Sequence, residues 1–295
     1  MYSTVRSAVN CPHVKILGDF PLLRCPRGDI SLSWPDRAVE HCRCPCRNRR
    51  VALSLRRGPP CRPLPEYALS ASNPLLESAA LVALAPYTVA GYALFREIVE
   101  TDGAVAARFK GLFAAAAAVN KGHRELARRE LERARAQGLP ADEAASALIL
   151  LASLRGEATA LAFGAILDAV YGPREAAPAA PVAAAPGEAE ANFKAYFGTV
   201  PAPLANLLAL VPRGADGYYL MRKGTIDCNR LPRKLSELML IAVLAADYSP
   251  MSATHVKGAR VAGASEAEIA EAILCAVPAA GIAAWMSAGA LLEPS

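Results

Sequence analysis

Two stretches, ALAPYTVAGYALFR (Ala83–Arg96) and ALVPRGADGYYLMR (Ala209–Arg222), share the pattern A-L-x-P-x-x-x-x-G-Y-x-L-x-R. Pro86 aligns with Pro212, Gly91 with Gly217, Tyr92 with Tyr218 and Arg96 with Arg222. The match continues downstream. Phe109-Lys110 stands against Arg233-Lys234, each opening an apolar run, and ERARAQGLPADEAASAL from Glu132 stands against KGARVAGASEAEIAEAI from Lys257. Gly138 then pairs with Gly263, Glu143 with Glu268 and Gly156 with Gly281. Ordered self-similarity of this length reads as a tandem duplication.

Each copy predicts a set of helical hairpins. Gly138 and Gly263 supply the left-handed residue that closes a helix. Ser265 with Glu268 three residues on forms an S-x-x-E capping box for the next helix. Ala and Leu, strong helix formers, dominate the chain, and β-branched residues are not concentrated anywhere. The expected fold class is therefore all-α. Units are expected at 66–171 and 191–295, joined by a Pro/Ala-rich linker at 172–190 that is semi-extended where prolines cluster. The uncharged window Ser78–Phe95 contains a proline and a glycine, and reads as a buried core helix with its turn rather than a membrane span.

The net charge of +5 comes from the N-terminal fifth. Residues 1–63 hold twelve Lys/Arg against four Asp/Glu, whereas the rest holds twenty against twenty-three. The helical body thus offers no basic field for nucleic acid. Six of the eight cysteines also fall in the first 61 residues. In HCRCPC (His41–Cys46), with Cys61 and His13 nearby, the donors suit zinc, but C-x-C-x-C lacks the spacing of structural zinc sites. Residues 1–65 are expected to be an unstructured basic extension: a disordered tail, or non-coding sequence translated from a start placed too far upstream. No metal or cofactor is expected. Without an apolar leader in the first 25 residues, a reduced cytoplasmic setting is the default.

The second copy, LPRKLSELMLIAVLAADYSPMSATHVKGARVAGASEAEIAEAI, resembles the carboxymuconolactone decarboxylase and alkylhydroperoxidase D-like family. The shared pattern is a Lys-x-x-Glu-Leu helix opening followed by H-x-x-x-A-x-x-x-G-x-[ST]-x-x-E-I. Here it is carried by Lys234, Glu237, Leu238, His255, Ala259, Gly263, Ser265, Glu268 and Ile269. The resemblance implies an all-α fold that assembles as trimers or hexamers, so that a trimer of a duplicated chain would mimic a hexamer of single units. In the peroxidase branch it implies a glutamate, a C-x-x-C pair and a histidine four residues after the second cysteine. A thiolate attacks the peroxide and the second thiol resolves the sulfenic acid.

Carried onto this chain, Glu237 and His255 match, while the cysteine positions are Tyr248 and Met251. Neither replacement does thiol chemistry, and Met251 also differs from the glutamate usual there in the decarboxylase branch. The interval from Glu237 to His255 is one residue shorter than the family spacing. In the first copy Glu130 stands where the histidine would, and His123 falls opposite Tyr248.

Two functional readings follow. One is thiol-independent acid–base chemistry on a small carboxylic acid or lactone, with His255 moving the proton, Glu237 orienting it and Tyr248 an auxiliary donor. The other is a non-catalytic scaffold or small-molecule binding protein in which His255 is a buried remnant. Glu237 alternatively faces solvent or an interface lysine, and Tyr248 alternatively packs. Glu130, on the charged run HRELARRELERARAQ, reads as part of a solvated face with i,i+4 pairs such as Glu125–Arg129. Cys275 reads as a buried small hydrophobe and Cys228 as exposed; Tyr248 and Met251 at the C-x-x-C positions disfavour a thiol peroxidase.

Overall fold

A computed structural model describes residues 40–42, 51–53, 73–175 and 182–293. The chain divides into two units, residues 1–60 and 61–295. In the first, β1 (Glu40–Cys42) pairs antiparallel with β2 (Val51–Leu53), with His41 opposite Ala52. The rest of the expected N-terminal extension, including Cys44, Cys46 and Cys61, lies outside the described residues.

The described part of the second unit is entirely helical, as expected. A 3-10 turn at Pro74–Glu77 leads into α1 (Ala79–Leu84), α2 (Pro86–Glu100), α3 (Ala107–Asn120), α4 (Arg124–Ala136), α5 (Ala141–Arg155) and α6 (Glu157–Tyr171). After the linker come α7 (Glu188–Phe197), α8 (Ala202–Leu210), α9 (Pro212–Asp227), α10 (Arg233–Ala246), α11 (Ser252–Val261), α12 (Glu266–Leu274), α13 (Val277–Ala280) and α14 (Ala283–Ala288). Helix α7 takes up the last three residues of the expected linker. The window Ser78–Phe95 forms α1 and the start of α2, broken at Ala85. The turn is as expected, but α1 buries no residue and Leu84 is exposed, so this part is a surface helix. No helix among the described residues is long and apolar enough to cross a membrane.

The core is built on α3 and α10. Ala114–Ala118 of α3 and Ile241–Ala246 of α10 are buried, and the two helices pack on each other. Alanine at successive positions makes α3 apolar all round, which is tolerable only in an interior position, and its methyl side chains permit close helix contact. Helix α4 packs on α3 as α11 packs on α10, so the fold centres on two helix hairpins whose first helices pack on each other. Phe109 and Lys110 are the third and fourth residues of α3, whereas Arg233 and Lys234 open α10; the expected pairing of these dipeptides is therefore displaced by two residues.

The two hairpins end alike. Gly138 and Gly263 have φ of 89° and 84°. Gly156 (φ 80°, ψ −176°) and Gly281 (φ 73°, ψ −179°) both occupy a backbone region open essentially to glycine alone. Ser265 accepts from the Glu268 N–H at 3.2 Å while Glu268 accepts from the Ser265 N–H at 2.8 Å, completing the capping box. The turns inside the hairpins correspond as well. The His123 N–H donates to Ala118 at 2.9 Å and the Ser249 N–H to Leu244 at 3.0 Å. His123 thus stands opposite Ser249, and Gly122 opposite Tyr248. The expected match of His123 with Tyr248 is corrected by one residue.

Candidate functional site

Helices α10 and α11 bring Glu237 and His255 together across their hairpin. Glu237 lies one turn into α10, on a side next to the buried Ser236 and Leu238, and His255 lies one turn into α11. The Oε2 of Glu237 is 2.8 Å from Nδ1 of His255, and the two side chains are 13% and 20% exposed. Glu237 is therefore largely enclosed rather than turned to open solvent. An aspartate or glutamate held on one imidazole nitrogen fixes the ring orientation and favours the tautomer with the proton on that nitrogen. His255 Nε2 is then the lone pair free to take a proton, and it has no protein partner among the described residues.

The hairpin makes room for this pair with a glycine. A Cβ on Gly258 would stand 2.8 Å from the Glu237 carboxyl, inside any normal contact distance. Gly258→Ala is therefore expected to push the Glu237 carboxylate off His255 while leaving the fold intact. The displaced atoms are the free end of a side chain, and alanine is the better helix former by about 1 kcal/mol. The expected outcome is a melting temperature within a few degrees of the wild-type value, the helix gain offsetting part of the lost contact, with any proton-transfer activity of the pair reduced on the order of 100-fold, the scale of an ångström-sized misplacement. An unchanged activity together with an unchanged Glu237–His255 contact in a crystal structure of the variant would contradict this.

Tyr248 is placed differently from its partners. It is the one non-glycine residue with positive φ (56°) among the described residues, a conformation uncommon for a bulky side chain. Its hydroxyl donates to the Ala280 carbonyl at 2.7 Å, and Lys121 lies over its ring. The phenol proton is thus engaged by backbone rather than by His255 or Glu237. Met251 is exposed at the N-terminal boundary of α11. Of the body's two cysteines, Cys228 is exposed and Cys275 is buried. Burial pushes the Cys275 thiol up to about 12, so it carries no thiolate at neutral pH.

The corresponding place in the first hairpin has different chemistry. Glu130 stands eight residues before Gly138, as His255 does before Gly263, and Gly111 precedes Gly122 by the interval that separates Glu237 from Tyr248. There the glycine is on α3, and its missing side chain lets α4 pack closely: a Cβ on Gly111 would lie 2.9 Å from the Ala134 Cβ and 3.2 Å from Arg133 Nη2. Glu130 is 1% exposed and paired with Arg96 of α2 and Arg133. The solvated face expected for Glu130 is therefore wrong, although Glu125–Arg129 does form an exposed pair at 3.2 Å. The sequence carried a signal: Ala127, Leu131 and Ala134, all buried, place position 130 on the same i, i+3, i+4, i+7 stripe. Burial opposes the Arg96 charge, but Glu130 and Glu100 outweigh it and raise its pKa.

Among the described residues no group of three or more His, Cys, Asp or Glu is placed to hold a metal ion. Residues 212–294 match the model of the Carboxymuconolactone decarboxylase family. No curated protein matches the chain.

Proposed function

We propose that residues 212–294, which match the model of the carboxymuconolactone decarboxylase family, carry a thiol-independent acid–base site for a small carboxylic acid or lactone. The observation that supports this most is the 2.8 Å contact between Glu237 and Nδ1 of His255, which leaves Nε2 as the proton-transfer atom. In a decarboxylation the carbon–carboxylate bond breaks, CO2 leaves, and its electron pair passes into an adjacent carbonyl. His255, protonated from solvent, returns a proton from Nε2 to the carbon. Glu237 orients the ring and balances the imidazolium charge. Tyr248 shapes the junction between α10 and α11, and its hydroxyl would join the chemistry only by leaving Ala280. Such a reaction needs an electron sink, so the test is CO2 release from a panel of small lactone carboxylates and β-keto acids. Activity of the purified chain above that of the His255→Ala variant supports the assignment; equal activity in both sinks it.

A thiol peroxidase is disfavoured, because Tyr248 and Met251 fill the cysteine positions and the Cys275 thiol is held neutral. A non-catalytic binding scaffold is the second reading. It draws on the commitment of Tyr248 to Ala280 and on the Arg–Glu–Arg cluster in the first hairpin. Specific binding of a panel acid with no CO2 release at any pH would favour it.

The matched helix order and the paired conformations of Gly138 with Gly263 and Gly156 with Gly281 support a tandem duplication. Exposed apolar residues Val261, Ile282 and Met286 near the second hairpin support self-association. A trimer is the expected species, and light scattering that shows a monomer at micromolar concentration would contradict it.

A further inference from the structure

The first hairpin borders a cleft of about 530 Å3, within the range of roughly 300–1,000 Å3 typical of small-molecule sites. Its wall is formed by Arg96 of α2, by Arg129, Glu130 and Arg133 of α4, and by the 3-10 turn that contributes Pro74, Leu76 and Glu77. Glu130 is saturated: Oε1 accepts from Arg96, and Oε2 accepts from Nε and Nη2 of Arg133 at 3.3 and 2.7 Å. Arg96, 5% exposed, also pairs with Glu100 at 2.5 Å, yet its Nε is buried with no hydrogen-bond partner. A buried N–H of this kind carries an uncompensated desolvation cost. Arg129 stands at the open side. Its Nη1 donates to Glu77 at 2.7 Å, and the Glu77 side chain is 66% exposed. An exposed pair of this sort contributes little and exchanges readily.

We propose that this cleft binds a small monocarboxylate with an apolar body, its carboxylate taking the place of Glu77 on Arg129. The guanidinium fork matches a planar carboxylate. Pro74 and Leu76 supply an apolar wall, and Arg96, whose buried Nε has no hydrogen-bond partner among the described residues, also lines the cleft. Three arginines face two glutamates in the lining, while Glu100 and Glu125 hold Arg96 and Arg129 from outside it. The incoming carboxylate replaces the charge of Glu77 on Arg129 one for one, so the site suits a single negative charge rather than a polyanion. Glu77 acts as a tethered competitor whose release opens the site. The cleft is separate from the Glu237–His255 pair and does not depend on its activity.

Calorimetric titration of the full chain with benzoate tests the proposal. Saturable binding at one site per chain is expected. Arg129→Gln, at a half-exposed position that leaves the fold intact, should weaken it roughly tenfold or more, the size of a lost charge-assisted hydrogen bond. Glu77→Gln should tighten it, and His255→Ala should leave it unchanged. Absence of saturable binding in both the wild-type chain and Glu77→Gln overturns the proposal. So does binding that survives Arg129→Gln undiminished or disappears in His255→Ala. Inorganic phosphate that displaces benzoate at equal concentration would overturn the assignment to carboxylates.

Discussion

His255→Ala is expected to lower turnover by roughly 100- to 10,000-fold, the usual contribution of a positioned general acid–base group. The imidazole has one nitrogen held by Glu237 and the other, Nε2, left without a protein partner among the described residues to pass a proton. The side chain makes a single hydrogen bond, to Glu237, and is partly exposed. Its loss leaves the Glu237 carboxylate short of a partner, at a cost of about 1–3 kcal/mol. The variant should therefore melt a few degrees lower but remain folded and of unchanged oligomeric state. Glu237→Gln keeps an acceptor for the Nδ1 proton but removes the charge that balances an imidazolium, so an intermediate loss is expected. Steady-state kinetics on a substrate identified by CO2 release, read beside circular dichroism melts, separates these effects. Full turnover by His255→Ala would remove the histidine from the chemistry.

The second large effect concerns stability. Glu130→Ala is expected to cost about 3 kcal/mol, because it removes the buried carboxylate shared by Arg96 and Arg133 and leaves Arg96 with Glu100 as its remaining counter-ion. For a chain of this size that corresponds to a fall of roughly 10 °C in melting temperature. Replacing both Arg96 and Glu130 by methionine should recover much of the loss, since apolar residues of similar volume often substitute for a buried ion pair with little penalty. Urea melts of the two variants distinguish this from simple loss of packing. A Glu130→Ala midpoint equal to that of the wild-type chain would show that the cluster does not support the hairpin.

What could be read from sequence and what could not divides by the range of the interactions. The all-α class, the glycine stops at Gly138 and Gly263 and the cap at Ser265 depend on a few adjacent residues, and these features are present in the fold. The repeat motif placed Arg96 and Arg222 in register, but their surroundings differ. Arg96 pairs with Glu130, thirty-four positions away, whereas Arg222 lies over the rings of Tyr196 and Tyr218. Glu130 was obscured by its charged neighbours, which do face solvent. Only the helical period of Ala127, Leu131 and Ala134 marks it as inward. The meeting of Glu237 with His255 spans eighteen positions and two helices. It was implied by a family pattern rather than by local physics, and Gly258, which makes the space for it, passed as an ordinary small residue. The left-handed turn at Tyr248 had no local signal, because the residue that would announce it, glycine, is present only in the first hairpin, at Gly122.

In the proposed site Glu237 holds the Nδ1 side of His255 and leaves Nε2 as the proton-transfer atom. Nitrogen-15 NMR of the imidazole, at a pH where the ring is neutral, measures which nitrogen carries the hydrogen. The proton is predicted on Nδ1 in the wild-type chain, with loss of that preference in Glu237→Ala. A neutral ring protonated on Nε2 in the wild-type chain would contradict the assignment.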